Sequence, residues 1–444
     1  MTGLSFKRAR ERTDMAGRGS LAGRLRLPQN RHGALLLGAA LTLCAGAAAA
    51  AEPPPVADAR VRQCAAQGKG FAYIPGTDTC LRVGGFMEYE AYYNSYNQEP
   101  AQNDRTYTIA TASLVMDART ATEYGTLRSY TDLRFRWRTA NEFSDGPSTS
   151  QISPYYMYIQ LAGFTIGHQQ SFFDFYANAN VYGTDTGTVG DQTRLNMLAY
   201  TFEMDHGFSA TVSLEDSVAR MSGIYASNPA LAGSVLDYQT PDPLPEIVAV
   251  FGQTGDWGQF QLSGALHQVA GSWSGLEDTQ TWGYALQAGV MFNLPFIAAN
   301  DTLYLQAAYA NGATSYLGIQ DWTGDFAPPD AFLTPTGGLS LVSGWSAVAQ
   351  LLHNWTPAWS TVLFGGYAEF AFNDALAQTV YGSTGGTNYN IGGNINWIPG
   401  SYLQLTLQYD YNVYQASDYV QTAYGLPTQS QRAHQLVLIA QRFF

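Results

Sequence analysis

Charge is scarce in this sequence. Asp, Glu, Lys and Arg make up only 13% of its 444 residues, against about 25% in an ordinary soluble domain, a poor match to a charge-studded soluble enzyme. Long apolar runs are missing too. After residue 51 none approaches the roughly 20 residues that a membrane-crossing helix needs, which argues against a helical membrane protein. Lys and Arg are absent altogether from Met221 to Gln431, a stretch that holds fourteen Asp and Glu. There is no HExxH, no GxSxG and no phosphate-binding glycine loop, and the six histidines are scattered. Abundance lies elsewhere, in aromatics at 14% and in 45 glycines. With a mean hydropathy of −0.14, what remains is a long β-rich chain whose apolar residues are dispersed by alternation.

The first fifty-one residues read as an export signal. Lys7, Arg8, Arg10, Arg12, Arg18, Arg24, Arg26 and Arg31 form a basic start, and Gly33 to Ala51 (GALLLGAALTLCAGAAAAA) supplies a short apolar core with an Ala-x-Ala exit. Met15 is an alternative start within this leader. Cys44 follows Leu43, whereas lipoprotein cleavage needs a small residue at that place, so a lipid anchor is not expected.

Without the leader, residues 52–444 keep 14 of 22 Lys and Arg and 33 of 35 Asp and Glu, a net charge of 14 − 33 = −19. So acidic a surface repels nucleic acid, and no nucleic-acid partner is expected. Cys64 and Cys80 are the cysteines that survive processing. In an exported chain they most simply form a disulfide worth about 3 kcal/mol through unfolded-state entropy. The other reading, half a metal site, lacks nearby histidines. Residues 52–80, opening on the Pro-rich Glu52–Val56, thus form a spacer and disulfide loop, and residues 81–444 the main body.

That body is a series of alternating segments. From Leu127 to Arg138, Leu127, Ser129, Thr131, Leu133, Phe135 and Trp137 share one face; Arg128, Tyr130, Asp132, Arg134, Arg136 and Arg138 share the other. Leu403 to Tyr414 and Phe208 to Glu215 alternate in the same way. Sixteen such strands can be placed between Leu81 and Phe444. Their connections alternate between tight turns, as at Ala162–Gly163 and Gly255–Gly258, and long ones, as at Ser171–Thr193 and Gly312–Leu339. A soluble sandwich has no reason to sort its loops so. A transmembrane barrel has, with short periplasmic turns and longer outer loops, and in lipid only a closed barrel pairs every strand's backbone groups. The expected fold is all-β, a 16-stranded antiparallel transmembrane β-barrel. At that size the centre holds water.

The segment from Cys64 to Gly85 (CAAQGKGFAYIPGTDTCLRVGG) resembles the opening of alpha-proteobacterial outer-membrane porins of the porin_2 type. So does Asp117 to Thr131 (DARTATEYGTLRSYT), with shorter matches at Tyr200-Thr-Phe, at Gly207-Phe-Ser-Ala and from Ser213 to Asp216. Beyond Asp216 the likeness is one of pattern, ending in a terminal Phe444. The resemblance implies a homotrimer in the Gram-negative outer membrane and passive diffusion of small hydrophilic solutes and ions. It also implies an inward-folded third loop. One departure is Arg442, where such barrels carry an aromatic third from the end; with Val437, Ile439 and Phe443 apolar opposite Leu436 and Leu438, the facing of the last strand stays open.

A diffusion channel needs a wet constriction of controlled size and charge, and no catalytic chemistry, cofactor or metal. The third long connection (SFFDFYANANVYGTDTGTVGDQT, from Ser171) carries Asp174, Asp185 and Asp191 and no basic residue. Opposite it, Arg128, Arg134, Arg136 and Arg138 line one strand face, with Arg82, Arg119 and Arg194 as possible additions. Arginines facing lipid would cost about 2–4 kcal/mol each at the midplane, so they must meet water or acids. They either line the pore or brace the wall through Asp117, Asp132 and Glu123. A wall of arginines against a loop of aspartates would orient dipolar solutes and hinder apolar ones. Ion preference is then a contest between −19 overall and a local cationic cluster.

Eight of the nine tryptophans lie between Trp257 and Trp397. Trp345, Trp355, Trp359 and Trp397 fall near strand ends, as interfacial girdles require; an aromatic slide in a sugar-selective channel is the alternative. A barrel-borne lipid hydrolase would need an outward Ser–His pair, for which nothing selects His168 or His267. A soluble β-rich adhesin would leave the loop sorting unexplained.

Overall fold

The structure, a computed structural model, describes residues 62–444 apart from 97–105, 140–148, 177–188, 191–192, 229–233, 238, 241–243, 273–278, 320–327, 335, 373–382 and 418–429. Sixteen long strands carry the chain. The first eight are β1 (Thr79–Tyr96), β2 (Thr106–Thr122), β3 (Gly125–Arg138), β4 (Thr149–Leu161), β5 (Phe164–Gln170), β6 (Arg194–Glu203), β7 (Phe208–Glu215) and β8 (Glu246–Gly255). The rest are β9 (Gly258–Gly271), β10 (Thr279–Asn293), β11 (Thr302–Asn311), β12 (Ser343–Thr356), β13 (Trp359–Ala371), β14 (Gly385–Gly400), β15 (Leu403–Ser417) and β16 (Ser430–Phe443).

Each strand pairs antiparallel with the next, and β16 returns to β1 in a ladder from Phe86↔Phe443 to Tyr96↔Ala433. The sheet therefore closes, with β4 unpaired on its β5 side before Met157, where the shorter β5 ends. Beyond the ladder, Phe444 exchanges both backbone hydrogen bonds with Gly85, each 3.1 Å, so the last residue completes the seam. The sixteen expected strands are all present. At the β4–β5 turn Ala162 and Gly163 both have positive φ, 50° and 87°, the backbone that a two-residue hairpin demands.

Alternation sorts the wall into two faces. Leu363, Leu438, Ile391 and Leu286 are exposed on the outside, while polar neighbours such as Ser113, Gln408, Asn396 and Asp132 are buried on the inside. The last strand's facing is now settled. Leu436 and Leu438 point out; Val437 and Ile439 point in and pack with Tyr92, Tyr107 and Ile109. Arg442 lies on the outer face, its guanidinium 5.0 Å from the Tyr402 ring. The seven tryptophans among the described residues (Trp137, Trp257, Trp282, Trp345, Trp355, Trp359 and Trp397) are all exposed large side chains. Trp359 and Trp397 stack at 5.8 Å beside the β12–β13 turn, and Trp345 meets Tyr367 at 5.1 Å toward the opposite rim. They form belts, not a slide.

The wall is uneven. β1 to β4 run 18, 17, 14 and 13 residues, whereas β5 to β8 run 7, 10, 8 and 10. The fourth and sixth long connections contribute a separate four-stranded sheet, residues 224–228, 234–237, 331–333 and 339–341. Ile224, Ala331 and Leu333 pack on Val269 of β9, and Phe332 packs among Phe370, Tyr414 and Ala416 of β13 and β15. Ahead of β1, Cys64 and Cys80 are joined in a disulfide, closing a small core with Phe71.

Candidate functional site: the arginine wall and the third connection

The arginines of β3 stand on the inner face, as their alternation requires, and Arg82 of β1 and Arg119 of β2 join them. Asp117 of β2 is fully buried and holds three of them. Arg119 donates to its carboxylate at 3.1 and 2.8 Å, Arg128 at 3.0 and 3.1 Å, and Arg82 lies 3.5 Å away. Asp132 accepts from Arg134 at 3.3 Å and from the Ser113 hydroxyl at 2.6 Å. Arg136 approaches Glu90 at 4.0 Å.

Tyrosines support the guanidiniums from beneath. Arg128 lies 4.8 Å from the Tyr130 ring, Arg138 4.1 Å from Tyr107, and Arg134 3.2 Å from Tyr155. Cation–π contact of this kind fixes a guanidinium plane while leaving its edge free to donate. Arg128, Arg134 and Arg136 keep 25%, 28% and 31% of their side chains exposed. They are thus braced and open to water at once. Of the bracing acids named from sequence, Asp117 and Asp132 hold arginines of the wall, and Glu90, not named there, is approached by Arg136. Tyr130 shares the arginine face in the sequence; Glu90 and Tyr107 were not singled out although they sit on the inward alternation of their strands, and Tyr155 lies at an irregularity of β4.

The third connection leaves β5 at Ser171 and rejoins β6 at Thr193, with Ser171 N donating to Thr193 O at 2.8 Å. Its described parts bond to inward side chains of β9 to β14. The Phe173 carbonyl accepts from Gln261, Ser263 and Gln287 at 3.1, 3.0 and 2.7 Å. Tyr176 N donates to Gln306 at 2.7 Å, Tyr176 Oη donates to Gln350 at 3.0 Å, and Val189 N donates to Asn390 at 3.3 Å. Glycines make room for these contacts: a Cβ on Gly289 would lie 2.2 Å from the Phe175 ring, and one on Gly366 2.6 Å from Val189.

Of the three aspartates expected to face the arginines, Asp185 and Asp191 lie outside the described residues. Asp174 is placed otherwise. It is buried, pairs with Arg220 at 3.0 Å and accepts from Thr193 N at 2.7 Å, so its charge ties down the root of the connection. Burial pushes the Asp174 carboxyl above the usual carboxylate range, with Arg220 pulling against it.

Neighbouring polar contacts hold the outer loops together. Arg220 lies 4.1 Å from the Tyr316 ring, Tyr316 donates to Glu246 at 2.8 Å, and His267 meets Glu246 at 2.6 Å and Asp330 at 3.5 Å. His267 is fully buried here, and His168 bonds Asn196 at 3.3 Å. Among the described residues no group of three or more His, Cys, Asp or Glu is arranged to hold a metal ion.

Comparison with known proteins agrees with this architecture. The porin subfamily called Porin_2 matches residues 46–436. Porin Omp2b of Brucella suis is 29% identical over 306 residues, 66% of this chain and 78% of that protein. Porin Omp2b of Brucella abortus (strain 2308) is 29% identical over 304 residues, with the same coverage. Among solved structures, the outer membrane channel DcaP of Acinetobacter baumannii superposes with a TM-score of 0.62 at 16% identity, covering 84% of this chain and 99% of that one. A closed barrel of this strand number encloses water rather than a packed core. The protein is an outer-membrane channel for the diffusion of small solutes, and its chain belongs to the porin_2 family.

Proposed function

We propose that passage is controlled where the inward arginines of β2 and β3 face the third connection, so that Arg128, Arg134, Arg136 and Arg138 line the narrowest water path. One observation carries this reading: guanidiniums spaced by strand alternation on the inner wall, each set on a carboxylate or a tyrosine ring, with Arg128, Arg134 and Arg136 a quarter to a third exposed. Fixed charges in a narrow aqueous passage act on every solute that enters. The hydrogen bonds of Phe173, Tyr176 and Val189 to inward side chains support a third connection folded into the lumen. Asp185 and Asp191 would supply the opposing charge. Family membership favours a homotrimer, and transport is passive, without cofactor.

Reconstitution in planar bilayers tests this. The processed wild-type protein should open in stepwise increments grouped by three. Arg134→Ala/Arg136→Ala should insert normally and shift its reversal potential toward cations, because two positive charges leave the path. An unaltered ion preference in that variant would remove the constriction while leaving the barrel.

A further inference from the structure

The fourth and sixth long connections meet where their strands 224–228 and 331–333 pair in parallel, Ala331 with Ile224 and Phe332 with Tyr225. Alternation puts Phe332 on one face of this small sheet and Ala331 and Leu333 on the other. All three are buried. Ala331 and Leu333 share a cluster with Val269, an inward residue near the outer end of β9. Phe332 shares another with Phe370 of β13 and with Tyr414 and Ala416 of β15, inward residues near the outer ends of those strands, and its ring lies 5.0 Å from that of Phe372. A strand buried on both faces by side chains of the inner wall lies within the mouth of the barrel and not above it. Dimensions agree. A sheet packed on both faces spans about 20 Å, two layer spacings of about 10 Å. In a sixteen-stranded barrel with a backbone radius of about 16 Å, β9 and β13 stand about 23 Å apart across the interior.

The sheet is held, not hinged. The carboxylate of Asp330, just before the buried strand, accepts from Ser222 N of the fourth connection at 2.9 Å and from Thr314 N and Oγ1 of the sixth at 2.8 and 3.0 Å. His267 Nε2, on β9, lies 3.5 Å from the same carboxylate. Backbone bonds run alongside: Asp330 N donates to Gly223 O at 2.8 Å, and Val342 N to Asp330 O at 3.0 Å. One residue thus ties both connections to each other and to the wall. Deeper in the barrel, Tyr176 of the third connection packs on Val348 of β12 and on Val362 and Phe364 of β13, all buried. Arg128, Arg134 and Arg136 of β3, by contrast, keep a quarter to a third of their side chains exposed. The interior is filled on the side of β9 to β15 and open beside β3.

We propose that the sheet carrying Phe332 is a fixed size filter in the outer mouth: it closes the sector between β9 and β13 and leaves entry only through the remainder, beside the arginine wall, with Phe332 as the residue that sets the limit. This goes beyond the control of charge at the wall, because a restriction of width acts on neutral solutes as strongly as on ions.

Polymer exclusion provides the test. Polyethylene glycols of graded mass are added to planar bilayers holding the full processed protein, on the side of the long connections and separately on the side of the tight turns. The largest glycol that still lowers single-channel conductance is read for each side. Phe332→Asp sets a carboxylate among aromatic rings, at a cost that undocks the sheet. A packed layer takes about 10 Å from a mouth about 32 Å wide between backbones, and coil size grows as the square root of chain length, so undocking should about double the largest mass admitted from the loop side. The limit from the turn side should stay as in wild type. Phe332→Leu keeps the apolar contact and should match wild type; Phe332→Ala should give a smaller rise in the same direction. The barrel should close in each, since the β1–β16 seam does not involve Phe332. An unchanged loop-side limit in whichever of Phe332→Asp and Phe332→Ala inserts overturns the proposal, as does an equal rise from both sides, which would mark a loosened barrel. Failure of the wall reading would be seen separately, as unaltered ion selectivity in Arg134→Ala/Arg136→Ala.

Discussion

Replacing Asp117 by Asn takes one negative charge from the arginine wall without taking a side chain, and the geometry allows its effect to be worked out. Sixteen strands spaced about 4.8 Å apart and tilted about 40° close at a backbone radius of about 16 Å. The Asp117 carboxylate, on a short side chain reaching about 3 Å inward, lies roughly 13 Å from the axis. There a unit charge in water is worth about 0.3 kcal/mol unscreened. Screening leaves about 0.2 kcal/mol at 10 mM salt, where the Debye length is about 30 Å, and less than about 0.01 kcal/mol at 1 M. Because the change acts oppositely on chloride and potassium, Asp117→Asn should move the permeability ratio toward anions by roughly twofold at 10 mM KCl and by less than about 5% at 1 M. The barrel should still assemble, since the β1–β2 and β2–β3 ladders do not involve this carboxylate. Reversal potentials across a KCl gradient at low and high mean salt provide the assay. A shift of equal size at both salts would refute the reasoning, because it would mark a rearranged wall and not a changed field; no shift at low salt would show that Arg82, Arg119 and Arg128 do not face the ion path.

Two other perturbations address the loops. Gly289→Leu places side-chain atoms where the Phe175 ring now lies against the wall, and it should push the third connection into the water path and lower single-channel conductance; unchanged conductance would show that this connection does not narrow the channel. Arg220→Ala leaves Asp174 buried without its counterion, a loss of about 3–5 kcal/mol for a broken buried pair. Limited proteolysis of the reconstituted channel should then cut within residues 217–237 much faster than in wild type, and an unaltered digestion pattern would discount the pair as a loop anchor.

How far the sequence could be read follows from the range of each interaction. The inward facing of Arg128, Arg134 and Arg136 is a strand-period property, visible within twelve consecutive residues. The sorting of tight turns and long connections is visible along the chain as well, because strands that reverse direction must put alternate connections on alternate sides. Residues 436–439 were ambiguous for the same reason: both faces are apolar, and Val437 points inward only because Tyr92, Tyr107 and Ile109 come round to meet it once β16 closes on β1.

Side-chain alternation together with the sorting of tight and long connections therefore determined that this chain forms membrane-spanning strands, how many there are, and which side of the best-patterned ones is wet. Tertiary structure decided who meets whom: Glu90 with Arg136 across the intervening β2, Asp174 with Arg220, Ile224 beside Ala331 in a sheet made from two distant loops, and Arg194 and Arg134 against one tyrosine ring. The physical reason is that a strand's period is set by its own backbone, whereas these pairings depend on barrel closure, on the shortness of β5 and on an irregularity at Tyr155, none of which leaves a periodic trace in the sequence.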